Sequence, residues 1–256
     1  MTGGRARALP IVKIIVRAVA PNPFQRAIAS AHRDWPDWPL RGWWQGRHIR
    51  RKSVRFITYS GERVQLLYHP FNCGYRSART TERSVELALA FRWLKLISGP
   101  VIEVGAVTPY YADERAELAK IDRVIDPTDS HPAVTDRRSL FEYDFCRKNV
   151  LSISTLEHVG TGNYSLPEED CIAACEKLVG DSDSCFVTVP LGYNPKLDSH
   201  LYSADWPMTT LTVVYRSSTL NDWRTTRERD LIGKISYGPA WANGILIIER
   251  LASLSE

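Results

Sequence analysis

The chain has 256 residues, 44% of them hydrophobic and 24% charged, with only 15 glycines. That balance suits a globular fold with a core of its own and excludes collagen-like, coiled-coil and wholly disordered chains. The net charge of +4 is unevenly spread: the first 55 residues hold 12 Lys or Arg against Asp34 and Asp37 alone, while the rest holds 21 basic and 27 acidic residues.

Apolar runs end after about ten residues, roughly half of what a bilayer-spanning helix needs, so no transmembrane segment is expected. The five cysteines (Cys73, Cys146, Cys171, Cys175, Cys185) are odd in number and contain no CxxC pair. That argues against both a zinc site and a disulfide framework. With no secretory pattern at the N-terminus, a reducing, cytoplasmic setting is the expectation.

In chain order, Ile11, Val12, Ile15, Val16 and Val19 fall at helical spacing and predict a short amphipathic helix. Prolines then interrupt a tryptophan-rich patch containing Trp35, Trp38, Trp43 and Trp44, which reads as an irregular cover for a crevice or a support for a homodimer. Val54 to Tyr59 and Val64 to Tyr68 alternate around Ser60-Gly61-Glu62, the pattern of a hairpin. Thr81 is the expected N-cap of a helix carrying Val85, Leu89 and Trp93, stopped by Gly99-Pro100.

Four strands follow at Val101 to Val104, Arg123 to Asp126, Val150 to Ile153 and Phe186 to Val189. Three of them are apolar on consecutive positions, as parallel strands between helical layers are. Leu211 to Tyr215 and Gly244 to Ile248 would add an antiparallel C-terminal edge. The expected fold is α/β: a Rossmann-like, mainly parallel sheet flanked by helices over residues 72–256, preceded by a basic cover segment with the hairpin over residues 1–71.

Chemistry gathers at the strand ends. Glu103 stands two residues before Gly105 at the end of the first sheet strand, and Asp126 ends the second strand twenty-one residues later. That is about the spacing at which a carboxylate meets ribose hydroxyls. A pyrophosphate-binding G-x-G-x-x-G is missing, because Val107 and Tyr110 occupy the later glycine positions, and no P-loop occurs. A nucleoside without phosphates is left. The third strand runs into Ser152-Ile-Ser-Thr-Leu-Glu-His-Val-Gly160.

With these segments in that order, the chain resembles the class I S-adenosylmethionine-dependent methyltransferases, in particular a small-molecule O-methyltransferase branch. The resemblance covers residues 72–250 and is most specific over 101–195. It implies S-adenosylmethionine as cofactor and a small-molecule acceptor such as a sugar, glycolipid or secondary metabolite. It also implies Glu103, Gly105, Ala106 and Val107 beside the methionine part, Asp126 on the ribose with Asp129 as its rival, Asp144 toward the adenine, and Ser154 and Thr155 facing the sulfonium. Val107 replaces the second glycine of the family motif, which holds the loop further from a ligand.

A sulfonium methyl is already activated, so the enzyme must mainly align a nucleophile and remove its proton. His158 suits that task and Glu157 would orient it or act as base. Two alternatives stay open for this pair: holding a divalent cation, to which the reading does not commit, and merely capping the helix after the strand or supplying a satisfied buried histidine. Tyr110, Tyr164, Tyr193 and Asn194 are candidate substrate contacts at the same edge. Cys171 and Cys175, four apart, fit a helix face toward the core.

Two rival functions remain. A noncatalytic binding or scaffold subunit would keep the fold with a closed pocket. An RNA methyltransferase would use the basic cluster Arg47 to Lys52, although the acidic remainder and the lack of an RNA-binding motif disfavour nucleic acid.

Overall fold

The computed structural model describes residues 55–67, 81–111, 116–161, 170–217, 222–238 and 242–252. The predicted N-terminal helix, the tryptophan cover, the basic cluster, Cys73 and Tyr164 lie outside them. The chain divides into two units, and the account below concerns the second, Ser53–Tyr237 with Ala242–Glu256. The hairpin, which the sequence groups with the cover segment, belongs to the same unit as the sheet.

Strands β1 (Phe56–Tyr59) and β2 (Glu62–Gln65) pair antiparallel around Ser60 and Gly61. Both turn residues have positive φ, 48° and 80°, the geometry whose twist suits a two-residue hairpin loop. Alternation places Ile57 and Tyr59 in the core. Helix α1 (Arg83–Leu96) follows, and its side chains are buried on nearly every face, as befits a helix with apolar residues all round. It starts later than expected. Glu82, not Thr81, stands at the cap position, already in helical conformation and without a side-chain cap bond, because its carboxylate instead accepts from the Ala242 amide at 3.1 Å.

The main sheet has seven strands: β3 (Val101–Val104), β4 (Ile121–Ile125), β5 (Asn149–Ile153), β6 (Ser184–Pro190), β7 (Thr210–Arg216), β8 (Trp223–Thr226) and β9 (Gly244–Arg250), in the order β4-β3-β5-β6-β9-β7-β8. The first four are parallel and the remaining pairs antiparallel. The expected pairing of the last two predicted strands is present as β7 with β9. Strand β9 is not the edge, however: it lies between β6 and β7, and the unpredicted β8 is outermost.

Consecutive apolar residues of β3, β5 and β6 point alternately into two cores. Ile102, Val104, Val150 and Val187 pack with α2 (Cys171–Asp181) and α3 (Pro195–Ser203). Val101, Leu151, Ile153 and Phe186 pack with α1 and the hairpin. Burial on both faces is what their unbroken hydrophobicity encodes. Cys171 and Cys175 sit in the first of these cores, as their spacing predicts. Between β3 and β4 the described residues form short 3-10 turns, Thr108–Tyr111 and Ala116–Lys120. No helix among the described residues is long and apolar enough to cross a membrane.

Candidate functional site

From β3 the chain moves outward to β4, then returns to β5 on the other side of β3. The strand order therefore reverses between β3 and β5, and crevices at such reversals, at the carboxyl ends of the strands, are where open α/β sheets take ligands. Three turns meet there.

The turn after β3 is organised by Glu103. Fully buried, its carboxylate accepts from the Val107 and Thr108 amides at 3.0 and 2.7 Å and from the Thr108 hydroxyl at 2.5 Å. Burial pushes its pKa up to about 7 against the opposing pull of those hydrogen bonds. Glu103 thus shapes the loop from inside. Gly105 has φ +85°, and a Cβ there would collide with Thr155 Oγ1 and stand 2.7 Å from its Cγ2. Only glycine fits this close approach. Ala106 and Val107 are buried beside it.

After β4, Asp126 ties two turns together. Its Oδ2 accepts from the Ala106 amide at 3.1 Å. Its Oδ1 accepts from the Thr128 amide and hydroxyl and the Asp129 amide, at 2.9, 3.0 and 2.8 Å. Asp129 faces the other way, taking the Tyr110 hydroxyl at 2.8 Å, and the Tyr110 ring meets His131 edge-on at 4.7 Å. Tyr110 therefore belongs to the β3–β4 side. Asp144 is exposed and accepts from the Cys146 amide at 2.9 Å, so it is turned to its own backbone.

After β5, Ser154 adopts φ 44°, a strained conformation for a side chain with a Cβ and one that concentrates at functional sites. Its hydroxyl donates to Glu86 of α1 at 2.5 Å. Thr155 Oγ1 donates to the Ile153 carbonyl at 3.1 Å. A 3-10 turn, Leu156–His158, then carries the Glu-His pair. Glu157 is 1% exposed, its Oε1 lies 3.5 Å from His158 Nε2, and its Oε2 has no hydrogen-bond partner among the described residues. Burial above all, with the charges of Glu86 and Glu82 adding to it, holds the Glu157 pKa well above the usual carboxylate range. His158 moves the opposite way, down to about 4, through burial and then the nearby Arg83.

Asn194 caps α3, with Oδ1 accepting from the Leu197 amide at 3.2 Å and Pro195 at the first helical position. Its amide donates to the Glu157 carbonyl at 3.1 Å. The loop predicted at Tyr193-Asn194-Pro195 is thus a helix start, and Asn194 is committed to structure. Tyr193 does face the pair: its ring meets His158 edge-on at 4.6 Å and Tyr237 at 5.2 Å.

The sequence gives no sign of what sits on the other side of Glu157. In the first turn of α1, Glu82, Arg83 and Glu86 are all buried. Arg83 donates to Glu86 Oε2 at 2.5 Å, while Glu86 Oε1 takes the hydroxyls of Ser154 and Thr188 at 2.5 and 2.7 Å. Burial, then the neighbouring Glu86, raise the pKa of Glu82. Charged residues opening a helix usually read as a solvated first turn, which is why this cluster escapes a sequence reading.

Among the described residues no group of three His, Cys, Asp or Glu side chains is arranged to hold a metal ion. No protein-family model, curated protein or solved structure matches the chain, so the site is read from its own geometry.

Proposed function

We propose that the chain is an S-adenosylmethionine-dependent methyltransferase on a Rossmann-like fold, acting on a hydroxyl of a small molecule. The observation that carries this reading is the convergence of three strand ends at the reversal of strand order: the Gly105 turn, Asp126 bonded to the Ala106 amide, and the Ser154 to His158 turn. Among the described residues Asp126 Oδ2 accepts a single donor, and a carboxylate oxygen accepts about two. It therefore keeps capacity for a ribose hydroxyl. The buried Glu157 Oε2, without a donor among the described residues, fits a ligand that brings one, or brings positive charge.

When bound, the cofactor supplies an electrophilic methyl group on its sulfonium. The chain's own task is to fix the acceptor oxygen in line with that methyl and keep water away. His158, with its pKa near 4, is neutral at physiological pH and accepts a hydrogen bond from the acceptor hydroxyl. It is a weak base, so it takes the proton only as the oxygen becomes cationic during transfer. The rings of Tyr193 and Tyr237 form a wall suited to the flat face of a sugar or an aromatic acceptor. Cys146, Cys171, Cys175 and Cys185 are free, in keeping with a reducing, cytoplasmic compartment.

Equilibrium dialysis with S-adenosylmethionine tests the reading. The wild-type chain retains the ligand and Asp126→Ala weakens retention about tenfold or more, the loss expected for a charge-assisted hydrogen bond. A second reading, a noncatalytic subunit with the same fold, is favoured by the tight packing of Thr155 on Gly105. Retention of neither S-adenosylmethionine nor its demethylated product at millimolar concentration would decide for it.

A further inference from the structure

Three carboxylates surround one guanidinium in the space between α1 and the turn after β5. Arg83 contacts Glu86 directly, at 2.5 Å, and Glu86 is further held by Ser154 and Thr188. That pair is internally neutral. Glu82, 6% exposed, shares the field of Arg83 with that of Arg216 on β7, which leaves Glu157, 1% exposed, as the carboxyl group without a cation in direct contact among the described residues. Glu82 receives the Ala242 amide, while Glu157 Oε2 receives no donor among the described residues. The other titratable groups facing the cluster are Arg216, which interacts with Glu82, Tyr111, which hydrogen-bonds Arg83 and whose phenol is pushed up to about 12 mainly by burial, Glu103 and His158. Of these only Arg216 brings positive charge at neutral pH, so two guanidinium groups face three carboxyls.

A buried carboxylate without a counter-charge costs several kcal/mol by order of magnitude, and a protein avoids that cost by protonating the group or by pairing it. The first solution fits the ligand-free chain, since both Glu82 and Glu157 hold their protons more tightly than ordinary carboxyls. The second solution is available to any ligand that delivers a positive charge to the same place. Glu157 belongs to the turn that faces the crevice between β3 and β5 and is followed by His158, whose side chain is 24% exposed. The cluster therefore reaches from the buried first turn of α1 to the mouth of the site.

We propose that the buried set of Glu82, Glu86 and Glu157 around Arg83 is the receptor for the positive charge of the bound ligand, which enters by exchanging its charge for a proton held by Glu157 or Glu82. The inference rests on the function proposed above and deepens it. The charge concerned is the sulfonium of S-adenosylmethionine, which the demethylated product, S-adenosylhomocysteine, lacks while sharing every other group. The exchange balances: one positive charge enters the cluster and one proton leaves to solvent. It also gives the turnover a direction, because loss of the methyl removes the charge, a proton returns to the cluster, and the product is held less tightly than the substrate once the pH exceeds the range in which the carboxyls are protonated.

Titration calorimetry on the full chain, in phosphate and in Tris at pH 7, tests this, the two buffers differing in ionisation heat so that protons released can be counted. S-adenosylmethionine releases about one proton more than S-adenosylhomocysteine, and raising the pH by one unit strengthens its binding relative to the product by up to about tenfold. Glu157→Gln, which keeps the size and removes the exchangeable proton, lowers the difference, and Glu82→Gln serves as the second variant if the first does not fold. Equal proton counts for the two ligands, or a difference untouched by both variants, overturns the inference while leaving the proposed function standing. Binding of neither ligand overturns both.

Discussion

Glu86 on α1 and Thr188 on β6, 102 residues apart in sequence, meet at 2.7 Å in the buried layer between helix and sheet. The same carboxylate holds Arg83 and Ser154, so one side chain joins α1, β6 and the turn after β5. Glu86→Ala removes the direct partner of a buried guanidinium and of two hydroxyls. Removing one partner of a buried ion pair costs about 3–5 kcal/mol, whereas Thr188→Val, which deletes the bond to Glu86 and the one its hydroxyl accepts from the Ser154 amide, costs about 2 kcal/mol. Urea unfolding of the two variants measures the contrast, and comparable losses in both would show that Glu86 does not organise the cluster.

Gly105 and Thr155 form a second pair that tolerates little change. Gly105→Ala meets two penalties: the left-handed backbone at φ +85°, about 1–2 kcal/mol for a residue with a Cβ, and the collision with Thr155. Thr155→Ala in the Gly105→Ala background removes Oγ1 and Cγ2 but keeps the Cβ, 2.8 Å from the added methyl, and so recovers part of the steric penalty and none of the backbone one. A double-mutant cycle on thermal unfolding therefore shows favourable coupling. Strict additivity would mean the two turns are not in contact in solution.

Asn194 separates a structural role from a substrate role. Asn194→Ala removes a helix cap and the bond to the Glu157 carbonyl, and the cap alone is worth about 1 kcal/mol. Asn194→Asp keeps the cap acceptor and recovers part of that loss. If Asn194 touched the acceptor instead, both variants would leave unfolding unchanged and raise only KM for the acceptor.

The parts of this fold that could be read from the chain are those with a local cause. Unbroken apolar runs revealed β3, β5 and β6, alternation revealed the hairpin, and Gly105 and Asp126 announced a turn and a strand end. The misreadings share a different cause, a side chain recruited from far along the chain. Glu82 stands at the cap position in helical conformation and sends its carboxylate to the Ala242 amide, while the Thr81 hydroxyl accepts from the Arg83 amide at 3.4 Å one residue ahead of it. Asn194-Pro195 carried a cap followed by proline, a valid helix-start signal, yet its strand-end position suggested a binding loop. The short polar β8 has no hydrophobic signature, and its place depends on pairing with β7. The acidic cluster was invisible because its burial depends on α1 lying over β5 and β6.

Two groups near the crevice give opposite pH signatures, which makes them separable. Glu103 is raised to about 7 by burial, above its unfolded value near 4.3. Between those limits the folded chain holds the extra proton, so this group's contribution to stability falls as pH rises. His158 is lowered to about 4 by burial and Arg83, below its unfolded value near 6.5. There the unfolded chain holds the extra proton, and stability from this group is lost as pH falls from about 6.5 toward 4. Glu103→Gln, which cannot titrate, therefore makes stability rise more steeply between pH 4.5 and 6.5 than in the wild type, while His158→Asn flattens the rise. Urea midpoints of the three proteins at those two pH values check the pair of signs. A steeper rise in His158→Asn would mean that the imidazole is charged in the folded chain, and would remove the neutral acceptor on which the proposed alignment of the hydroxyl depends.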